Sequence, residues 1–429
     1  MRPALSISLR LAAGATALFA TLLLCTGATS APGGNNLSRA DAYAMAKAEA
    51  ALGKQMFFDT SLSASQAMSC ASCHDPRHGF APANALPVQL GGPTLSSPGV
   101  RNVPSLTYIQ VAPQSTEHFF DNEDEGDESV DNGPTGGLTW DGRADNGSAQ
   151  AEIPLLSPFE MANTSPTEVS AKIAKAAYSA DFKRVFGDDV FGDPQRTFKA
   201  VTDALEAYEQ SYADFYPYSS KYDAYLKGLV QLTAKETHGL DLFEAGDKGN
   251  CASCHLSRPS NDGTPPQFTD FGLLALGVPR NANIPANADP QYVDLGACGP
   301  LRTDLKDHPE YCGLFLSPTL RNVALRQSFF HNGAFHSLKD VVSFYVTRDT
   351  NPEKWYPKNP DGSVDKFDDL PRQYWSNINT DPPFGGKPGD KPALDDREID
   401  DVVAFLGTLT DGYFDPATGK INGTVASKQ

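Results

Sequence analysis

The sequence predicts a mainly α-helical chain made of two similar domains joined by long irregular loops. Three observations carry that expectation. Helical segments recur behind capping residues, strand patterns are few, and a Cys-x-x-Cys-His motif occurs once in each half, at Cys70-Ala71-Ser72-Cys73-His74 and at Cys251-Ala252-Ser253-Cys254-His255. With 36 Gly and 33 Pro in 429 residues, the connections between helices must be long and irregular. A mature chain of roughly 400 residues also exceeds one typical domain.

Taken in order, Arg2 and Arg10, the apolar run Leu11 to Cys25 and the small residues Ala28-Thr29-Ser30 read as an export signal over 1–30. That run is too short for a good spanning helix, and Leu24 stands where a lipoprotein would need a small residue before Cys25. A first domain is expected over 37–216, with a helical lead-in, Ala51 to Phe58, before the first motif. The acidic, Gly-rich stretch Glu117 to Gly137 reads as a surface insertion. Ser165-Pro166-Thr167-Glu168 reads as a capping box opening a helix toward Phe186, and Gln195 to Phe215 as another helix with Val201, Leu205 and Tyr208 on one face. A boundary is expected near Tyr216-Pro217-Tyr218, and a second domain over 217–425. There Thr233-Ala234-Lys235-Glu236 caps a lead-in through Gly239 to Phe243, a weak repeat of the first. Ser337 caps a short helix with Leu338, Val341, Val342 and Tyr345 on one face, and Asp395-Arg397-Glu398 opens a last helix through Leu406.

Cys-x-x-Cys-His places two thiols to add to the vinyl groups of one haem while the adjacent His binds the iron. Two such motifs in an exported chain imply two covalent c-type haems, with His74 and His255 as proximal ligands, and so two cytochrome c-like haem domains. Of seven cysteines, Cys25 leaves with the signal and four bind haem. Cys298 and Cys312 are left, and in an oxidising compartment they are expected to form a structural disulfide. A net charge of −18 argues against nucleic acid or an anionic membrane as partner, and no later segment reads as a membrane helix. What fills the sixth position of each iron decides between electron transfer and peroxide chemistry. All five Met residues (Met1, Met45, Met56, Met68 and Met161) precede the second motif. The second half offers His308, His331, His336 or Tyr345; by periodicity alone Tyr345 points to core or to iron.

From Ala51 to Leu409 the chain resembles the bacterial di-haem cytochrome c peroxidases, and more closely their MauG-type branch. The matching blocks are Ser69 to Phe80, Arg101 to Leu106, Trp140-Asp141-Gly142-Arg143-Ala144, Pro158-Phe159-Glu160-Met161 and Pro318 to Tyr345. The resemblance implies that Trp140 passes electrons between the haems, that Gln150 and Glu160 form a polar pair over the open face of the first haem, and that Pro154 shapes the same pocket. It implies a calcium ion held by Asn102 and by the backbone carbonyls of Arg326 and Ser328. It makes His331 the histidine of a Phe-His-x-Gly motif and puts Tyr345, fourteen residues on, at the position where MauG-type proteins carry a tyrosine ligand. Relatives whose resting first haem is blocked carry a histidine where this chain has Thr94, so an open first haem is expected. Phe344 to Thr350 followed by Trp355-Tyr356 is similar to MbnH-like members, which oxidise a tryptophan on a partner protein.

The expected function is therefore a periplasmic di-haem enzyme. It reacts with hydrogen peroxide at the first haem and oxidises an aromatic residue of a partner protein through high-valent haems. Glu160 would be the general acid/base, Gln150 would orient the peroxide, and Arg143 is read as structural. The alternatives are a peroxide-scavenging peroxidase fed by a small cytochrome, and a di-haem electron carrier with both irons six-coordinate.

Overall fold

Capping chemistry decides where the helices begin. In the computed structural model, which describes residues 38–117, 133–261 and 263–422, eleven α-helices occur among those residues. They are α1 (Arg39–Phe57), α2 (Cys70–Cys73), α3 (Gly147–Leu156), α4 (Pro166–Ile173), α5 (Ser179–Phe186), α6 (Pro194–Glu209), α7 (Tyr212–Phe215), α8 (Lys221–Leu226), α9 (Ala234–Glu244), α10 (Leu338–Thr347) and α11 (Asp396–Gly407). The expected export signal, and most of the Glu117 to Gly137 stretch, lie outside the described residues. Two antiparallel pairs of two-residue strands complete the regular structure: β1 (Leu90–Gly91) with β2 (Ser97–Pro98), and β3 (Leu273–Leu274) with β4 (Phe315–Leu316). The chain divides into Met1–Ala42 and one compact unit, Tyr43–Gln429.

Capping boxes open α9 at Thr233 and α11 at Asp395, where side chain and backbone satisfy each other's orphan donors. Ser337 caps α10 by accepting from the Asp340 amide. Two expectations need correction. The helix foreseen from Ser165 to Phe186 is two helices, because a turn at Ala174–Tyr178 re-aims the chain so that both Ile173 and Phe182 are fully buried. The Tyr178 hydroxyl pins that turn by donating to Asp59 over 2.7 Å. Ser165 does cap α4, but the Glu168 carboxylate accepts from the Thr164 amide instead of closing a box on Ser165. Likewise α6 stops at Glu209 and α7 follows, which brings Phe215 back to stack on Phe80 at 4.1 Å.

Hydrophobic side chains gather in two large clusters. One, from Leu52 to Phe215, contains the fully buried Val201 and Ala204 of α6. The other, from Tyr222 to Leu409, is built on α9, α10 and α11 around Phe243, Phe268 and Phe405. A fully buried Val, Leu, Ile or Phe side chain contributes about 1.5–3 kcal/mol. A smaller cluster joins Leu273, Ala297, Leu314 and Ile378, beside the Cys298–Cys312 disulfide, whose Cα atoms are 4.9 Å apart.

Both lead-in helices use a glycine to reach their neighbours. A methyl group at Gly53 of α1 would fall 1.7 Å from the Ala204 carbonyl oxygen of α6, and one at Gly239 of α9 would fall 2.0 Å from the Asp401 carbonyl oxygen of α11. Only hydrogen fits at either crossing.

Candidate active site

The first motif forms α2, which the Ser69 amide braces by donating to the Ser72 hydroxyl over 3.0 Å. The chain then turns through Gly79 and Phe80, both at positive φ. That turn presents the Phe80 carbonyl to His74, whose Nδ1 lies 2.9 Å away. The second motif repeats the arrangement, with His255 Nδ1 3.0 Å from the carbonyl of Phe268, another residue at positive φ. With Nδ1 donating to a carbonyl, each imidazole keeps Nε2 for an iron. Burial lowers both imidazoles to about 4, so both are neutral. Cys70, Cys73, Cys251 and Cys254 form no disulfide. Burial is also the main cause that pushes the thiols of Cys70, Cys73 and Cys251 up to about 12, the opposite of a reactive thiolate site. Two unbridged cysteines beside a neutral His fit haem attachment in each motif.

A cavity of about 1560 Å³ contains the second motif. Cys251, Cys254 and His255 line it together with Tyr345, Phe330 and His331, and it reaches Trp140, Gln150 and Arg326. Tyr345 leaves α10 between the rings of Phe330 (6.0 Å) and Phe384 (5.4 Å). Burial, then the two cysteines of the second motif, push its phenol well above the usual range. The buried Tyr222 and Tyr356 anchor their hydroxyls on the carbonyls of Ser257 and Gly277, whereas the partly buried Tyr345 borders the cavity. His331 is packed flat on Phe315 at 3.5 Å. His336 is exposed, its Nδ1 3.1 Å from the Gln327 carbonyl, and His308 pairs with Glu310.

Of the polar residues expected over the first haem, Gln150 lines the cavity that contains the second motif. Gln150 and Pro154 lie one turn apart on α3, and Glu160 follows in the loop after it. Burial raises the Glu160 carboxyl to about 7, against the pull of Arg143 and of the Ser157 hydroxyl. Glu160 is close enough to be felt electrostatically at Cys70 and Cys73. Arg143 itself pairs with Asp141 at 2.8 Å. Thr94 is exposed, its hydroxyl 2.7 Å from that of Ser96. His78 sits 3.4 Å from Asp75.

Asn102 ties these regions together. Its amide donates to the His331 carbonyl over 2.7 Å, its carbonyl accepts from the Trp140 indole over 2.7 Å, and its Nδ2 donates to Ser328 Oγ over 2.6 Å. The Leu316 amide of β4 donates to the Trp140 carbonyl over 2.7 Å. Arg101 holds the layer beneath through Asp141 at 2.7 Å and Asp294 at 2.6 Å, a buried ionic triad. The oxygens expected to hold calcium are engaged differently. The Arg326 guanidinium donates to Asn102 Oδ1, to the Val103 carbonyl over 3.0 Å and to the Ser328 carbonyl over 3.3 Å. As they stand, these residues do not fit a calcium ion. Neither this use of the Arg326 side chain nor the Phe315 platform was foreseen; the one sequence signal was an arginine at a position expected to offer only its carbonyl.

Comparison with known proteins decides the family. A profile described as di-haem cytochrome c peroxidase matches residues 47–231. The methylamine utilization protein MauG of Paracoccus denitrificans is 34% identical over 377 residues, covering 86% of this chain and 89% of the relative. The chain belongs to the di-haem cytochrome c peroxidase and MauG family. It is therefore an oxidoreductase acting on peroxide, with two c-type haems. The cytochrome c551 peroxidase of Pseudomonas aeruginosa is 30% identical, covering 68% of this chain and 70% of that one. Among solved structures, the diheme peroxidase BthA from Burkholderia thailandensis matches with a TM-score of 0.75 and 39% identity, over 88% of this chain and 90% of that chain.

Proposed function

We propose that this family member works in the MauG manner: it meets hydrogen peroxide at an open first haem and oxidises an aromatic residue of a partner protein. The observation that carries the reading is Tyr345 on the wall of the cavity that holds Cys251, Cys254 and His255. In this reading residues 37–216 and 217–425 form one haem domain each, held by His74 and by His255 with Tyr345. The haems, when bound, supply the redox chemistry that consumes peroxide and stores its oxidising equivalents.

The chain's own groups do the rest. A carboxyl near 7 can take a proton from one peroxide oxygen and return it to the other at neutral pH, and loss of solvation raises Glu160 to about that value. Gln150 orients the peroxide, and Pro154 on the same face of α3 offers no amide to compete for it. Trp140, fixed at its indole nitrogen and its carbonyl, offers a rigid ring for electron passage. Thr94, exposed and hydrogen-bonded to Ser96, leaves the first iron without the blocking histidine. A tyrosinate from Tyr345 would favour the oxidised states of the second iron. No helix of the described residues is long and apolar enough to cross a membrane; with an export signal expected over 1–30, the proposed location is the periplasm.

Likeness to a cytochrome c551 peroxidase supports a second reading, in which a small cytochrome feeds electrons for peroxide scavenging. Stopped-flow mixing of the ferric protein with peroxide separates the two. The first reading expects reaction without any reductant, and the second expects rapid turnover only with reduced cytochrome c.

A further inference from the structure

Among the described residues, the Arg326 guanidinium meets no carboxylate. It donates to three neutral oxygens, those of Asn102 Oδ1, Val103 and Ser328. Arg321 and Arg101 face acids instead: Arg321 meets Asp223 at 2.9 Å, and Arg101 meets Asp141 and Asp294. A cage of carbonyl and amide oxygens around a positive charge is what a hard metal ion recruits, and calcium would need roughly six to eight such oxygens. A guanidinium satisfies the same oxygens with directed N–H donors and a permanent charge.

We propose that the Arg326 side chain permanently replaces the calcium ion expected at this site, so that the chain holds Asn102, and through it Trp140 and His331, without a metal. Arg326 is then a positioning residue. Asn102 accepts from Arg326 on its side chain, accepts from the Trp140 indole on its carbonyl and donates to the His331 carbonyl from its amide. The cage is braced from outside, because Asn102 Nδ2 also donates to the Pro87 carbonyl over 3.1 Å and Ser328 Oγ to that of Leu86 over 3.3 Å. The inference rests on membership of the di-haem family and not on the partner-oxidation reading. One rival is specific. Arg326 borders the cavity, so a haem carboxylate could draw the guanidinium away and free the oxygens for calcium.

The test uses the purified protein carrying both haems. After dialysis against EGTA, calcium is measured by elemental analysis, and melting temperature and EPR spectrum are recorded with and without added calcium. The expected result is no stoichiometric calcium and no change on adding or removing it. Arg326→Ala opens the cage; this variant should take up about one calcium per molecule, lose its wild-type EPR signature in EGTA and regain it with calcium. A wild-type protein that retains stoichiometric calcium, or whose EPR changes in EGTA, overturns the proposal. So does an Arg326→Ala protein indifferent to calcium. Should that variant fail to fold, metal content and EGTA response of the wild type decide alone.

Discussion

The two Cys-x-x-Cys-His regions are alike on one side and unlike on the other. Each follows a helix whose glycine touches a neighbouring backbone, Gly53 on Ala204 and Gly239 on Asp401. Each presents a His whose Nδ1 meets a carbonyl, of Phe80 or Phe268. Beyond the histidines the likeness ends. Near the first region stands the Glu160 carboxyl, which acts electrostatically on Cys70 and Cys73, whereas the cavity of the second is walled by Tyr345 between two phenylalanine rings. On the proposed reading one attachment unit serves two purposes, and the difference lies in what distant segments bring beside it.

The contrast breaks most sharply at Glu160. Replacing Glu160→Gln should slow the peroxide reaction by about 10²–10⁴-fold while leaving both haems attached, as stopped-flow absorbance would register. The wild-type rate should rise with pH through about 7, because the carboxyl must lose its proton before it can accept one from peroxide. The variant's profile should be flat there; an inflection that survives in Glu160→Gln assigns it elsewhere. Next come the crossings. Gly53→Ala and Gly239→Ala should each destabilise by about 1–3 kcal/mol or more, seen as a lowered Tm, since the clash in both cases is with backbone. Equal losses would support the shared scaffold, and a loss at one crossing only would break it. The smallest effect on stability is expected from Tyr345→Phe, which removes one oxygen at the cavity wall. It should change the second haem's spectrum and leave the first unaltered, and an unchanged spectrum removes Tyr345 as a ligand.

Much of this was legible in the residues because the signals are local. Each Cys-x-x-Cys-His motif carries its own chemistry within five positions. The Ser337, Thr233 and Asp395 caps act within one turn of the helices they open. What escaped depends on packing between remote segments. No local rule breaks the helix after Ile173; the break follows from burying Ile173 and Phe182 together and from the Tyr178–Asp59 bond. The Arg326 side chain reaches Asn102, 224 positions away, so sequence spacing could place its carbonyl and not its guanidinium. The Phe315 platform under His331 depends on the β3–β4 pairing in the same way.

The central claim is that the first iron is open and flanked by a proton carrier while the second is capped by Tyr345. The most direct test is the absorption and EPR spectrum of the ferric protein before and after one equivalent of hydrogen peroxide, with no reductant present. The account predicts two distinct resting iron sites and a change at both upon mixing. Two fully ligated irons at rest, with spectra indifferent to peroxide, would contradict it.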